Sequence, residues 1–316
     1  MNKKICSWNI NSATNRNIFT PKFVGEEIVW QNSDFFILTE FCKTKNYESF
    51  INKYFVENGY NYILSNNPPK HNDILIAWKK DKYDKDLENA NIQTNETIPN
   101  FAYVVLRDKK GLIFVLAGVR ITIESYENRA KQFDFVLNSL NSYERVIIGG
   151  DFNCLRRGTK ETNWNIKVLS QKSEENGFSL VTPKGQSVYA EKAISTEYEF
   201  AEDHFLIKGI KMTNEEYDRS FADRNSNIYL HGRNFSVYDY LLRRNIWSIN
   251  VGSGIPDHAI LIADINFSRS QSEKFFACIY CNHLKGRFQY LLLKYFINYS
   301  LLLSVGNVAG SDCNWV

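Results

Sequence analysis

Acids, amides and two histidines recur in this chain at places where an apolar run stops or starts. The run Val146-Ile147-Ile148-Gly149-Gly150-Asp151-Phe152-Asn153 meets two glycines and then delivers a carboxylate and an amide two residues apart. On an extended backbone, positions i and i+2 face the same way, so Asp151 and Asn153 would converge on one point. A strand-ending Asx turn is the other use of the same residues. Trp8-Asn9-Ile10-Asn11 repeats the spacing with two amides. Phe35-Phe36-Ile37-Leu38-Thr39-Glu40 ends an apolar run in a carboxylate suited to a hard cation. Asp257-His258 stands directly before the apolar run 259–265, and Glu202-Asp203-His204 opens another at 204–207. Such a set could hold a cation, aim a water and meet charge building on phosphoryl oxygens, as metal-assisted phosphoester hydrolysis requires. Each segment alone also reads as an ordinary solvated strand end.

The elements that must position these groups follow from periodicity. Apolar runs at 5–10, 35–38, 60–64, 74–78, 145–149, 204–207 and 259–265 predict strands. Runs at 101–106 and 112–121 predict a hairpin across Arg107-Asp108-Lys109-Lys110-Gly111. Residues 47–58 predict a helix ended by Gly59 in the left-handed C′ position, and 125–140 a second helix with Phe133, Val136, Leu137 and Leu140 on one face. Strands flanked by helices, with hairpins mixed in, predict an α/β sandwich with mixed sheets.

Two stretches differ. Residues 211–250, rich in Asn, Arg, Asp and Tyr, read as an insertion or substrate-facing loops, or as a solvated surface excursion. Arg219, Arg224, Arg233, Arg243 and Arg244 there could track a phosphate backbone or form a solvated face. The tail 269–316 holds a hydrophobic run at 287–303, broken by Lys294 and Asn298, which reads as a docking helix or tail rather than a stable membrane span. Across all 316 residues the net charge is +3, which permits a polyanionic partner without the concentrated basic face of a dedicated nucleic-acid binder. No apolar signal core follows Lys3-Lys4, and the six cysteines are scattered, so reduced thiols in a cytoplasmic protein are expected. Cys278-x-x-Cys281 has no second pair to make a metal site.

In their order along residues 3–267, the five segments resemble the endonuclease/exonuclease/phosphatase superfamily, which includes exonuclease III-like and DNase I-like enzymes. The resemblance implies a four-layered α/β sandwich, two packed mixed sheets flanked by helices, with residues 1–268 as the catalytic domain. It implies Glu40, Asn11 and Asp257 around Mg²⁺ or Mn²⁺, Asp151 as the group that orients or deprotonates water, and Asn153 as a phosphoryl contact. His258 would be an imidazolium paired with Asp203 (Asp239 being the alternative partner), and Asn9 would position Asp151. Where many relatives carry a His or Tyr, this chain offers Arg120, expected to bind the substrate phosphate. A nuclease acting on DNA or RNA is the expected function. The alternatives are hydrolysis of a lipid head group, inositol phosphate or small nucleotide, and a binding module that has kept the fold without catalysis.

Overall fold

The apolar runs pair into two six-stranded sheets. The computed structural model describes residues 3–11, 20–67, 72–123, 125–154, 164–188, 201–225, 237–239, 244–246 and 256–267. In chain order the elements are β1 (Lys3–Asn9), α1 (Lys22–Gln31), β2 (Phe35–Phe41), α2 (Tyr47–Ile51) continued by a π-helical turn at Asn52–Val56, β3 (Tyr60–Leu64), β4 (Asp73–Lys79) and β5 (Tyr83–Asn89). Next come β6 (Asn100–Asp108), β7 (Ile113–Arg120), α3 (Tyr126–Leu140), β8 (Val146–Asp151), α4 (Ile166–Glu175), β9 (Ser179–Val181) and β10 (Asp203–Lys208). The series ends with β11 (Lys211–Asp218), α5 (Ser220–Arg224), the small hairpin β12 (Val237–Asp239) and β13 (Arg244–Ile246), and β14 (Ile260–Asn266).

The first sheet has the order β11-β14-β1-β2-β4-β3 and the second β5-β6-β7-β8-β10-β9. In each, one parallel pair, β1–β2 or β7–β8, sits among antiparallel neighbours. A parallel connection needs a crossover, which α1 supplies in the first sheet and α3 in the second. The strands alternate faces and both faces are covered. Ile5, Ile37, Ile76, Leu116, Ile147 and Phe205 fill the core between the sheets. Cys6, Phe36 and Leu38 point outward onto Phe23, Ile28 and Phe55, while Ala117 and Ile148 point outward onto Phe133, Val136 and Leu137. The result is the four-layered α/β sandwich with mixed sheets. Among the described residues, no helix is long and apolar enough to cross a membrane.

Several local expectations need correction. The strand expected at 145–149 does not stop at the glycines but runs through both to Asp151. Gly150 makes this possible: at φ 147°, a Cβ there would lie 1.9 Å from the Val119 carbonyl oxygen. Residues 211–218, expected as the start of a loop insertion, are the edge strand β11, paired with β14. Their polar run reflects an edge strand with exposed side chains, not the absence of structure. Arg224 pairs with Glu27, with Nε donating to Oε1 at 3.0 Å, and stacks on Trp30 5.1 Å away. The chain divides into two compact units, Met1–Phe267 and Ser268–Val316. The second unit, with the hydrophobic run at 287–303 and Cys278, Cys281 and Cys313, lies outside the described residues, as do Arg233 and Arg243.

Candidate active site

The chemistry-bearing residues gather at one end of both sheets. The C-terminal ends of β1, β2, β7 and β8 point there. So do the N-terminal ends of β10 and β14, because these strands run antiparallel to β8 and β1. Asp151 is the hub. Within its own sheet it lies in register between Arg120 on β7 and Asp203 on β10. From the facing sheet, Asn9 Nδ2 donates to Asp151 Oδ2 at 3.0 Å.

Two matching turns hold this contact. The Asn153 backbone N–H donates to Asp151 Oδ1 at 2.8 Å, and the Asn11 N–H donates to Asn9 Oδ1 at 3.0 Å. Both are Asx turns, with Asn153 at φ 46° and Asn11 at φ 48°. The residues two apart therefore converge through turns and not through the extended backbone that the spacing suggested. Asparagine tolerates the left-handed region better than other side chains with a Cβ, which is the physical use of an amide here. The middle residues Ile10 and Phe152 are fully buried and anchor each turn by about 1.5–3 kcal/mol. Asn153 Nδ2 also donates to the Ile121 carbonyl at 2.6 Å and to Asp151 Oδ2 at 3.3 Å, so a phosphoryl contact from this amide must displace the longer bond.

Glu40 does not end its strand. It sits inside β2 at φ 51°, where the register with β4 shifts between Leu38 and Phe41. A glutamate in this conformation costs about 1–3 kcal/mol, a local strain carried by the surrounding sheet. Arg120 Nε donates to Glu40 Oε1 at 2.6 Å and stands 3.8 Å from Asp151 Oδ2. Burial opposes the guanidinium charge, but Glu40 and Asp151 outweigh it and raise its pKa.

His258 Nδ1 is 2.6 Å from Asp203 Oδ2, and Nε2 is 3.9 Å from Asp257 Oδ1. Trp8 Nε1 fixes the backbone by donating to the His258 carbonyl at 3.0 Å. Burial would lower the imidazole pKa. The Asp203 contact, then Asp257 and Asp151, overcome it and lift the pKa well above its ordinary value, so the ring is held as imidazolium. Asp203 is itself braced by the Tyr217 hydroxyl, which donates to its carbonyl at 2.7 Å. Asp239 lies on β12, its side chain outside the described set. His204 bonds instead with Cys154 Sγ at 3.0 Å and Thr182 Oγ1 at 2.8 Å.

Glu202 is the residue that spacing did not single out. Its carboxylate, that of Asp151 and the His258 ring offer donor atoms all within 4.8 Å of one another. Burial, then the Asp151 charge, push Glu202 up to about 8. Burial likewise lifts Asp151 to about 6 and raises Asp257. Its position just before the Asp203 strand was the only signal available.

These shifts bear on cation binding. Among the described residues, Glu40, Asp151, Glu202, Asp203 and Asp257 bring five carboxyl groups to a largely buried site, against the Arg120 guanidinium, the His258 imidazole and Arg129, which donates to the Asn153 carbonyl. Acids whose pKa rises through burial lack compensating positive charge, and hard oxygen donors match Mg²⁺ or Mn²⁺. The residues fit such a cation.

No protein-family model matches the chain, and no curated protein does. Solved structures do. An endonuclease/exonuclease/phosphatase family protein from Bacteroides thetaiotaomicron aligns over 85% of this chain and 99% of its own, at 11% identity and TM-score 0.55. A mannosyl-6-phosphatase from the same organism covers 84% of this chain and 100% of its own, at 11% identity and TM-score 0.54. D. rerio TDP2, complexed with a single-strand DNA product, covers 84% and 99%, at 13% identity and TM-score 0.53. The chain has the endonuclease/exonuclease/phosphatase fold, and fold alone does not assign an activity.

Proposed function

We propose that this protein is a divalent-metal-dependent phosphoester hydrolase acting on phosphodiester bonds of nucleic acid. The observation that carries the reading is the Asn9–Asp151 contact between the two sheets, with the Asp203–His258 pair beside it. In this reading Asp151, held by Asn9 and the Asn153 N–H, orients a water and takes its proton as the water oxygen bonds to phosphorus; the phosphorus–oxygen bond on the opposite side breaks, and the leaving alkoxide takes a proton from solvent water. His258 imidazolium and the terminal nitrogens of Arg120 meet the charge that builds on the phosphoryl oxygens. Asn153 adds a hydrogen bond once its longer contact to Asp151 opens. Glu40, Asn11 and Asp257 would hold Mg²⁺ or Mn²⁺, which supplies Lewis-acid stabilisation of phosphoryl and leaving oxygens.

The charge balance favours a diester over a monoester. A phosphodiester carries one negative charge, and a monoester near neutral pH carries up to two. Among the described residues, the five carboxyls outnumber the Arg120 and His258 side chains beside them by more than one divalent ion offsets, so the extra charge of a monoester costs more. TDP2 complexed with a DNA product supports the nucleic-acid reading, and the mannosyl-6-phosphatase is the specific support for the phosphatase alternative. The discriminating assay offers plasmid DNA, abasic duplex, RNA, sphingomyelin and inositol phosphates with Mg²⁺ or Mn²⁺. Cleavage of nucleic acid that chelator abolishes is expected. Turnover of an inositol phosphate alone would move the substrate to the phosphatase class, and inactivity on every substrate would favour a binding module.

A further inference from the structure

Arg120 touches the one carboxylate that the proposed cation most needs. Its Nε is 2.6 Å from Glu40 Oε1, both side chains are mostly buried (16% and 12% exposed), and Asp151 lies 3.8 Å away on the other side. Among the described residues, Nη1 and Nη2 have no hydrogen-bond partner, so the fork remains available to an oxyanion while Nε is tethered. A cation bound by Glu40 would share that carboxylate with a positive charge already at hydrogen-bond distance. In a dry site such like charges repel strongly, and an anion lying between them relieves the repulsion.

We infer that Arg120 couples the two ligands of the site: the divalent cation binds weakly while the guanidinium holds Glu40 alone, and tightens when a phosphate engages the Arg120 fork. The inference rests on the phosphoesterase reading above and adds an order of assembly to it. Coupling between two ligands is reciprocal, so the cation must tighten phosphate by the same factor. The bulge at Glu40 serves the same end, because a regular β2 would place that side chain differently relative to Arg120.

The test measures Mn²⁺ binding by calorimetry and by electron paramagnetic resonance, with and without saturating inorganic phosphate, and needs no turnover. In the wild type, phosphate is expected to tighten Mn²⁺ by a factor of about 5 to 150, the usual range of such couplings. Arg120→Gln is expected to bind Mn²⁺ several-fold more tightly than wild type without phosphate, and to show a smaller gain when phosphate is added. Arg120→Lys, which keeps the charge and loses the fork, should match the wild type without phosphate and lose part of the gain. Unchanged or weaker Mn²⁺ binding by Arg120→Gln without phosphate overturns the inference, as does a wild type whose Mn²⁺ affinity ignores phosphate; the phosphoesterase reading survives both. If the wild type binds no Mn²⁺ under either condition, that reading falls as well.

Discussion

The ends of β1 and β8 are built alike and do different work. Each closes in an Asx turn whose third residue, Asn11 or Asn153, is left-handed, and whose middle residue is buried. Each strand belongs to the parallel pair of its sheet. The neighbouring parallel strand brings a charged side chain to the same place, Glu40 on β2 and Arg120 on β7. Across the gap the partners are complementary: amide against carboxylate for Asn9 and Asp151, carboxylate against guanidinium for Glu40 and Arg120. One backbone device, used twice, thus presents a neutral hydrogen-bond donor on one side and a carboxylate on the other. The surroundings make the difference. Asp203 is in register with Asp151, whose carboxylate clusters with Glu202 and the His258 ring, whereas the β1 end meets His258 through the Trp8 indole and the His258 carbonyl.

The largest expected effect comes from making the two turns chemically identical. Asp151→Asn keeps the turn and removes the base, so kcat should fall by about 10²- to 10⁴-fold with little change in Tm. Adding Asn9→Asp, which moves the carboxylate to the β1 turn, should not restore the rate, because the new acid lacks the neighbours of Asp151. Recovery in the double variant would show that the turns are interchangeable. Asp203→Asn should lower kcat by about 10²- to 10³-fold, the usual loss when one stabiliser of developing charge is weakened. Because Asp203 raises the His258 pKa, the imidazole resonances should then titrate at lower pH in NMR spectra. An unmoved titration would separate His258 from Asp203.

Gly150→Ala probes the β8 side alone. The added Cβ would collide with the Val119 carbonyl, so a loss of about 3 kcal/mol in urea unfolding is expected. Glu202→Gln carries the smallest and most specific effect. Asp151 acts as a base only when ionised, and burial lifts it to about 6, so kcat/KM should rise with pH through that region. Glu202, lifted to about 8 by burial and by the Asp151 charge, is uncharged while Asp151 titrates, so Glu202→Gln should leave this acid limb in place and remove any further change in kcat/KM near pH 8. A limb that moves in this variant would show that Glu202 is already charged when Asp151 titrates.

The sequence made strand ends legible because a buried run that stops at Gly, Asp or Asn is a local signal. That signal pointed to Asn9, Glu40, Asp151, Asp203 and His258 before their distances were known. It could not show that Glu40 sits in a bulge, since the register shift depends on β4, a strand distant in sequence. It also missed Glu202, whose carboxyl stands out through burial beside Asp151 and not through spacing. Strands β5 and β11 were hidden for a related reason: they are edge strands with polar, exposed side chains and no apolar alternation.

The most direct test of the central claim follows the oxygen of the attacking water. Hydrolysis of a DNA phosphodiester by the wild-type protein with Mg²⁺, in isotopically labelled water, should place the label on the phosphate product. The reaction should stop with chelator and in Asp151→Asn. Label in the released alcohol, or hydrolysis that persists without Asp151, would contradict water attack on phosphorus at this site.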